Sequence, residues 1–251
     1  MMDEFLKRVI VGAGERIAEP LFDKGVTHSV KTNLTDLLTE ADVAVSYFFI
    51  EQFQKEFPDH AITSEEREET INKGADYEWV IDPIDGTRNF AMGVPLWCTI
   101  IALEYRGETV LGAVYNPKAN ELFFAKKGHG ATLNDMPINV GKRTEILHTA
   151  GSFGRYYDES NTEYGSQILR FKKFGAYITQ HEYTWLHMFG TMLAGCHMAA
   201  GGFDYFIQNA GLDHDYLAPI LIMREAGAKV TDSDWNEWKR GVQDVVAAKP
   251  V

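Results

Sequence analysis

The stretch that most constrains this chain is Trp79-Val-Ile-Asp-Pro-Ile-Asp-Gly-Thr-Arg-Asn-Phe90. Trp79, Val80 and Ile81 form a short apolar run of β-type residues, which predicts a strand. Asp82 and Pro83 are expected to end it, because proline has no N–H for the ladder. In a regular strand, residues three apart face opposite sides. A turn at Pro83 instead lets the carboxylates of Asp82 and Asp85 converge on one point. Gly86 permits a tight approach, and Thr87-Arg88-Asn89-Phe90 reads as the first turn of a helix, whose unpaired N–H groups suit a phosphate oxygen. Two hard oxygen ligands beside such a cradle describe a Mg²⁺ phosphoryl-transfer site. An Asp-Pro turn closing a strand accounts for one acid. It does not account for two, which repel at the end of an apolar strand unless a cation joins them.

The 251 residues suffice for one large α/β domain or two intimate subdomains. Acids outnumber bases by 36 to 24, a formal net charge of −12, which argues against a broad nucleic-acid surface. A chain so acidic needs local cations to handle anionic phosphates, in keeping with bound metal. Cys98 and Cys196 lie in apolar surroundings without metal-binding spacing and read as buried, reduced thiols. The N-terminus carries acids and lacks the long apolar core of a secretory signal. No apolar run is long enough to span a bilayer, so a cytoplasmic protein that does not engage membranes is expected.

Along the chain, residues 3–22 read as an amphipathic helix ended by Pro20. Thr39 is a candidate N-cap for a second helix reaching Phe57, with Asp42 in its first turn as a dipole partner. Ala61-Ile62-Thr63 is a short strand leading into Glu65-Glu66. Strands at Leu96–Glu104, Val110–Tyr115 and Glu121–Ala125, continuing to Leu133, form an antiparallel meander, with a hairpin turn at Arg106-Gly107. Residues 141–150 are a plausible boundary between subdomains 1–145 and 146–251, which together make one catalytic unit. An apolar helix follows from Met188 to Ala200, then a strand at Phe203–Ile207. A last helix opens near Gly211 with Asp215 in its first turn and Pro219 tolerated early in its length.

The ordered set Lys31 to Asp42, Ser64 to Glu66, Asp-Pro-Ile-Asp-Gly-Thr at 82–87, and Asp215 to Gly227 resembles the inositol monophosphatase family of Mg²⁺-dependent, lithium-sensitive phosphatases. The resemblance spans nearly the whole chain. It implies an α/β (α+β layered) sugar-phosphatase fold with alternating αβαβα layers, an isologous homodimer, and hydrolysis of a small phosphomonoester by direct attack of water. By the same resemblance, Glu65, Asp82 and the carbonyl of Ile84 hold one Mg²⁺, while Asp82, Asp85 and Asp215 hold a second. Thr87, Asp42 and Glu65 are the catalytic residues, with Thr87, bonded to Asp42, directing the water. Asp85 and the N–H groups of Gly86 and Thr87 meet the phosphate, and Ser152 and Gln208 are candidate substrate contacts. A loop position without such a role is an equal reading of Gln208. His214 stands where the family usually carries Trp, and the family's final helix is absent or very short. Inositol 1-phosphate is the leading substrate. Histidinol phosphate, fructose 1,6-bisphosphate and 3′-phosphoadenosine 5′-phosphate are the alternatives, and a non-catalytic, partner-binding regulator is the reading from another class.

Overall fold

Two-residue alternation in the central strands builds the main sheet. In β4 (Tyr77–Asp85), Trp79 and Ile81 enter one buried cluster and Val80 another; in β5 (Cys98–Tyr105), Ile101 and Leu103 oppose Ile100 and Ala102 in the same way. A sheet apolar on both faces has to be covered on both. The computed structural model describes residues 1–25, 28–30, 37–142, 150–153, 172–177, 179–180 and 185–250. β3 (Ala61–Ser64), β4, β5, β6 (Glu108–Asn116), β7 (Glu121–Lys126), β8 (Ala131–Leu133) and β9 (Met136–Ile138) lie side by side in chain order. β3 runs parallel to β4, and every later pair is antiparallel. The expected meander is present, lengthened by β9.

One face is covered by α1 (Met2–Ala13), a π-helical segment Gly14–Ala18, α2 (Glu19–Lys24) and α3 (Glu40–Glu56). Pro20 does not end the first helix. It stands at the start of α2, after a π turn in which the Glu19 N–H reaches back five residues to the Gly14 carbonyl. A widened turn suits the arrival of a residue with no N–H to give. The chain leaves the helix at Gly25, whose φ is 76°. A small hairpin pairs β1 (His28–Val30) with β2 (Leu37–Thr39). Residues 31–36 of the first signature lie outside the described residues, as do residues 143–149 of the expected boundary.

The other face is covered by α5 (Leu193–Ala199) and α6 (Asp213–Glu225). The helix expected from Met188 is shorter, since Gly190 takes a φ of 67° and regular turns begin at Leu193. α6 lies so close to β6 that a Cβ on Gly112 would stand 2.9 Å from the Ala218 carbonyl oxygen. Pro219 sits inside α6 and not in its first turn, so no N–H reaches back to the Asp215 carbonyl. Beyond these helices is a second sheet, in the order β11 (Trp185–His187), β10 (Ala150–Phe153), β12 (Tyr205–Asn209), β14 (Asp244–Ala248), β13 (Lys229–Thr231). Phe174, in helical residues 172–177, packs on Ile207 at its far face. Helix and sheet layers therefore alternate in the αβαβα sense. One buried cluster unites Val80, Ile100 and Phe123 of the first sheet with Phe206 and Val245 of the second, with α6 between them.

Candidate active site

β4 does not stop at Asp82. It continues to Asp85, but its register slips: Asp82 faces Ile100 and Asp85 faces Cys98, so three steps on β4 span two on β5. Pro83 and Ile84 thus form a β-bulge, a place where a residue without an N–H does not break the ladder. The bulge sets the chemistry. In an unbroken strand Asp85 would point the same way as Trp79 and Ile81, toward α3. With the extra residue, Ile84 joins that helix-side cluster and Asp85 shares a face with Asp82.

Asp82, Asp85 and Asp215 bring carboxylate oxygens within 4.8 Å of one another, and Glu65, Asp82 and His214 form a second such group that shares Asp82. Glu65 arrives by way of β3. The parallel pairing sets Ser64 opposite Ile81, and the Glu65 N–H donates to the Ile81 carbonyl at 3.0 Å. Asp215 arrives at the third position of α6, where its Oδ2 accepts from the Leu212 N–H at 2.6 Å. Asp85 is clamped from α5's approach: its Oδ2 accepts from the Thr191 hydroxyl at 2.5 Å, the Met192 N–H at 2.6 Å and the Cys98 thiol at 3.3 Å. Thr191 and Met192 lie over a hundred residues away in the chain, and no local pattern marks them.

These acids are crowded, with Asp82 and Asp85 buried and Glu65 and Asp215 half-buried. Burial, and then Glu65, Asp85 and Asp215 around it, push the Asp82 carboxyl far above the usual carboxylate range. Burial and then Asp215 raise Asp85 to about 7, against its three hydrogen bonds. Burial raises Asp215 as well, with His214 acting in the opposite sense. Asp82 Oδ1 is buried and has no hydrogen-bond partner. An orphaned oxygen among acids driven toward their neutral forms is the situation a divalent cation relieves. Carboxylate oxygens with a backbone carbonyl nearby suit a hard cation.

Beside this group, α4 (Thr87–Ala91) starts where the sequence places it. Gly86 takes φ 86° and ψ 35° before it. A side chain there would stand 3.0 Å from the Leu96 carbonyl oxygen, so the conformation and the space both call for glycine. The Thr87 hydroxyl donates to the Ile84 carbonyl at 2.9 Å and stands 3.5 Å from Asp42 Oδ1. Asp42 divides its oxygens. Oδ2 accepts the Thr39 N–H at 2.8 Å and the Thr39 hydroxyl at 2.5 Å, closing the cap of α3, while Oδ1 is turned to Thr87. Burial raises Asp42 to about 7 despite the bonds from Thr39.

The two expected substrate contacts lie on strands of the second sheet. Gln208 is not in a loop. It is half-buried in β12 opposite Val245. Ser152 lies in β10 beside Phe206 of β12, and its side chain falls outside the described residues. A cavity of about 600 Å³ lined by Met2, Tyr77, Leu103, Tyr105 and Lys126 opens elsewhere, without the acidic cluster. Cys98 and Cys196 are buried free thiols, as expected. No helix among the described residues is long and apolar enough to cross a membrane.

The model of the inositol monophosphatase family matches residues 1–250. A protein named Nus factor SuhB from Pasteurella multocida is 32% identical over 238 residues, covering 95% of this chain and 87% of its own. A fructose-1,6-bisphosphatase/inositol-1-monophosphatase from Thermotoga maritima is 33% identical over 208 residues, covering 82% of this chain and 75% of its own. A solved IMPase structure from Thermotoga maritima superposes with a TM-score of 0.86 at 28% identity, covering 98% of this chain and 91% of that one.

Proposed function

The chain belongs to the inositol monophosphatase family, and from that premise we propose that it is a Mg²⁺-dependent phosphomonoesterase whose substrate is inositol 1-phosphate. The observation that carries the reading is the meeting of Asp82, Asp85 and Asp215, from two distant parts of the chain, with a buried oxygen of Asp82 left without a hydrogen-bond partner. Glu65, Asp82 and the Ile84 carbonyl would hold one cation, and Asp82, Asp85 and Asp215 a second. Bound there, Mg²⁺ supplies charge to offset the phosphate and to acidify a water.

The remaining work falls to this chain's own groups. The Gly86 and Thr87 N–H groups bind phosphate oxygens. Thr87 Oγ1, between Asp42 and the Ile84 carbonyl, accepts the attacking water's proton in step with passing its own to Asp42 Oδ1. A 3.5 Å approach is long for that transfer, but such bonds commonly tighten only with substrate in place. With its carboxyl at about 7, Asp42 is matched to proton transfer near neutral pH. Gln208 and Ser152 are assigned to the polyol side.

The relative named a Nus factor favours one further reading, a scaffold that binds other macromolecules and has lost turnover. One assay separates the two. The purified chain is given Mg²⁺ with inositol 1-phosphate, fructose 1,6-bisphosphate, histidinol phosphate or 3′-phosphoadenosine 5′-phosphate. Phosphate release that is fastest on inositol 1-phosphate and inhibited by millimolar-range lithium is the expected result. Release fastest on another of the four reassigns the substrate. No release from any of them, by folded protein that binds Mg²⁺, leaves the scaffold reading.

A further inference from the structure

His214 is absent from every role assigned so far, yet its ring lies within the acidic group. One of its nitrogens and one carboxylate oxygen each from Glu65 and Asp82 lie within 4.8 Å of one another. Two ligands on opposite sides of an ion at about 2.1 Å each stand about 4.2 Å apart, so donors held within that limit are near enough to share one ion. The ring's neighbours reinforce this placement. His214 Nε2 is 3.6 Å from Asp215 Oδ2, which the Leu212 N–H already occupies. Asp82, the member common to both donor groups, is 1% exposed and keeps Oδ1 without a partner. His214 is carried on the second residue of α6, one place before Asp215, so the same packing that positions Asp215 positions the ring.

We infer that His214 is a nitrogen ligand of the cation that Glu65 and Asp82 hold, and that this position is a mixed nitrogen–oxygen site which takes a borderline divalent metal, such as Co²⁺, Zn²⁺ or Fe²⁺, more tightly than Mg²⁺. The inference deepens the metal assignment under Proposed function and rests on it. The reason is ligand chemistry. Carboxylates and carbonyls suit Mg²⁺, whereas imidazole suits the later first-row metals, and affinities along that row rise toward copper. The neighbouring group of Asp82, Asp85 and Asp215 offers only oxygen and keeps its preference for the hard ion. The two positions would therefore differ in metal, with Asp82 common to both.

The test loads the full chain with Co²⁺ and uses two readouts that do not depend on turnover. Calorimetry gives Co²⁺ and Mg²⁺ affinities, and proton NMR looks for the strongly shifted, solvent-exchangeable N–H of a cobalt-bound imidazole. The unmodified chain is expected to show that resonance. His214→Gln should lose it, with Co²⁺ affinity at one site falling on the order of tenfold or more and Mg²⁺ affinity changing much less. The variant also assigns the signal among the eight histidines of the chain. Stoichiometric Co²⁺ binding with no shifted imidazole signal in the unmodified chain overturns the inference and leaves the oxygen site intact. The same follows if His214→Gln keeps the signal or binds Co²⁺ as tightly. Failure of both Co²⁺ and Mg²⁺ to bind overturns the metal assignment itself.

Discussion

The starts of α3 and α6 use one local device and put it to different ends. Each helix carries an aspartate at its third position, Asp42 and Asp215, whose Oδ2 reaches back to the N–H of the residue before the helix, Thr39 in one and Leu212 in the other. Around α3 the cap is complete, since Thr39 also offers its hydroxyl, both accepting from the Ala41 N–H and donating to Asp42. Around α6 the N-cap is a half-exposed leucine with no polar group to offer, and an imidazole lies beside the acid. The two acids then meet different company. Asp42 looks at a hydroxyl, and Asp215 at two further carboxylates. The same capping acid faces a hydroxyl in one helix and a group of acids in the other, according to what the rest of the fold places opposite it.

The sharpest way to break this comparison is to neutralise the two acids in turn. In Asp215→Asn the amide can still accept the Leu212 N–H, so the helix start survives. The charge facing Asp82 and Asp85 does not, and catalysis should fall by about a thousandfold or more while the Mg²⁺-induced rise in melting temperature shrinks or disappears. In Asp42→Asn the Mg²⁺-induced rise should remain, and kcat should fall about a hundredfold through loss of the proton acceptor. Thr87→Ala should cost a similar factor. Combining it with Asp42→Asn should add little, because both remove the same step. Equal loss of metal-induced stabilisation in the Asp215 and Asp42 variants would erase the distinction between them.

pH gives a second contrast, of smaller size. Asp42 is raised from the ordinary 3.8 to about 7 by burial. Below about 4 it is protonated in folded and unfolded chains alike and has no effect on stability. Between about 4 and 7 the folded chain holds the extra proton, so stability falls as pH rises, by about 1.4 kcal/mol for each unit over which the difference persists. Asp42→Asn removes that dependence. Its metal-free form should therefore match the parent in urea unfolding near pH 4 and exceed it by a few kcal/mol at most near pH 7. A variant that gained its advantage at pH 4 instead would reverse the assigned sign.

The smallest effect concerns the caps themselves. Thr39→Ala should lower stability by about 1 kcal/mol. Leu212→Thr, which completes the missing half of the second cap in backbone already extended at φ −110° and ψ 178°, should raise it by a comparable or smaller amount. Denaturant midpoints with unchanged slopes would show both.

Much of the site was legible in the sequence because its parts are local. Asp82, Asp85, Gly86 and Thr87 fall within six residues, and Thr39 with Asp42 reads as a helix start by residue type alone. Two misreadings share one origin. Prolines 20 and 83 each suggest a break, and the fold absorbs each in its own way, with a π turn before Pro20 and a bulge at Pro83; Pro219, expected early in the last helix, sits inside α6 at the loss of one backbone bond. Tertiary packing on both faces of the sheet outweighs the local penalty. The grip of Thr191 and Met192 on Asp85, and the entry of His214 into the acidic group, depend on contacts across more than a hundred residues, which no short pattern records.

The central claim is that Asp82 joins two cation positions and that a water activated there breaks a phosphomonoester. The measurement that tests it most directly is phosphate release from inositol 1-phosphate with Mg²⁺ in ¹⁸O-labelled water, comparing the unmodified chain with Asp82→Asn. The expected result is one solvent oxygen in each phosphate released by the unmodified chain, and loss of nearly all turnover in a variant that remains folded. Phosphate released without solvent label, or near-normal turnover by Asp82→Asn at ordinary Mg²⁺, would contradict it.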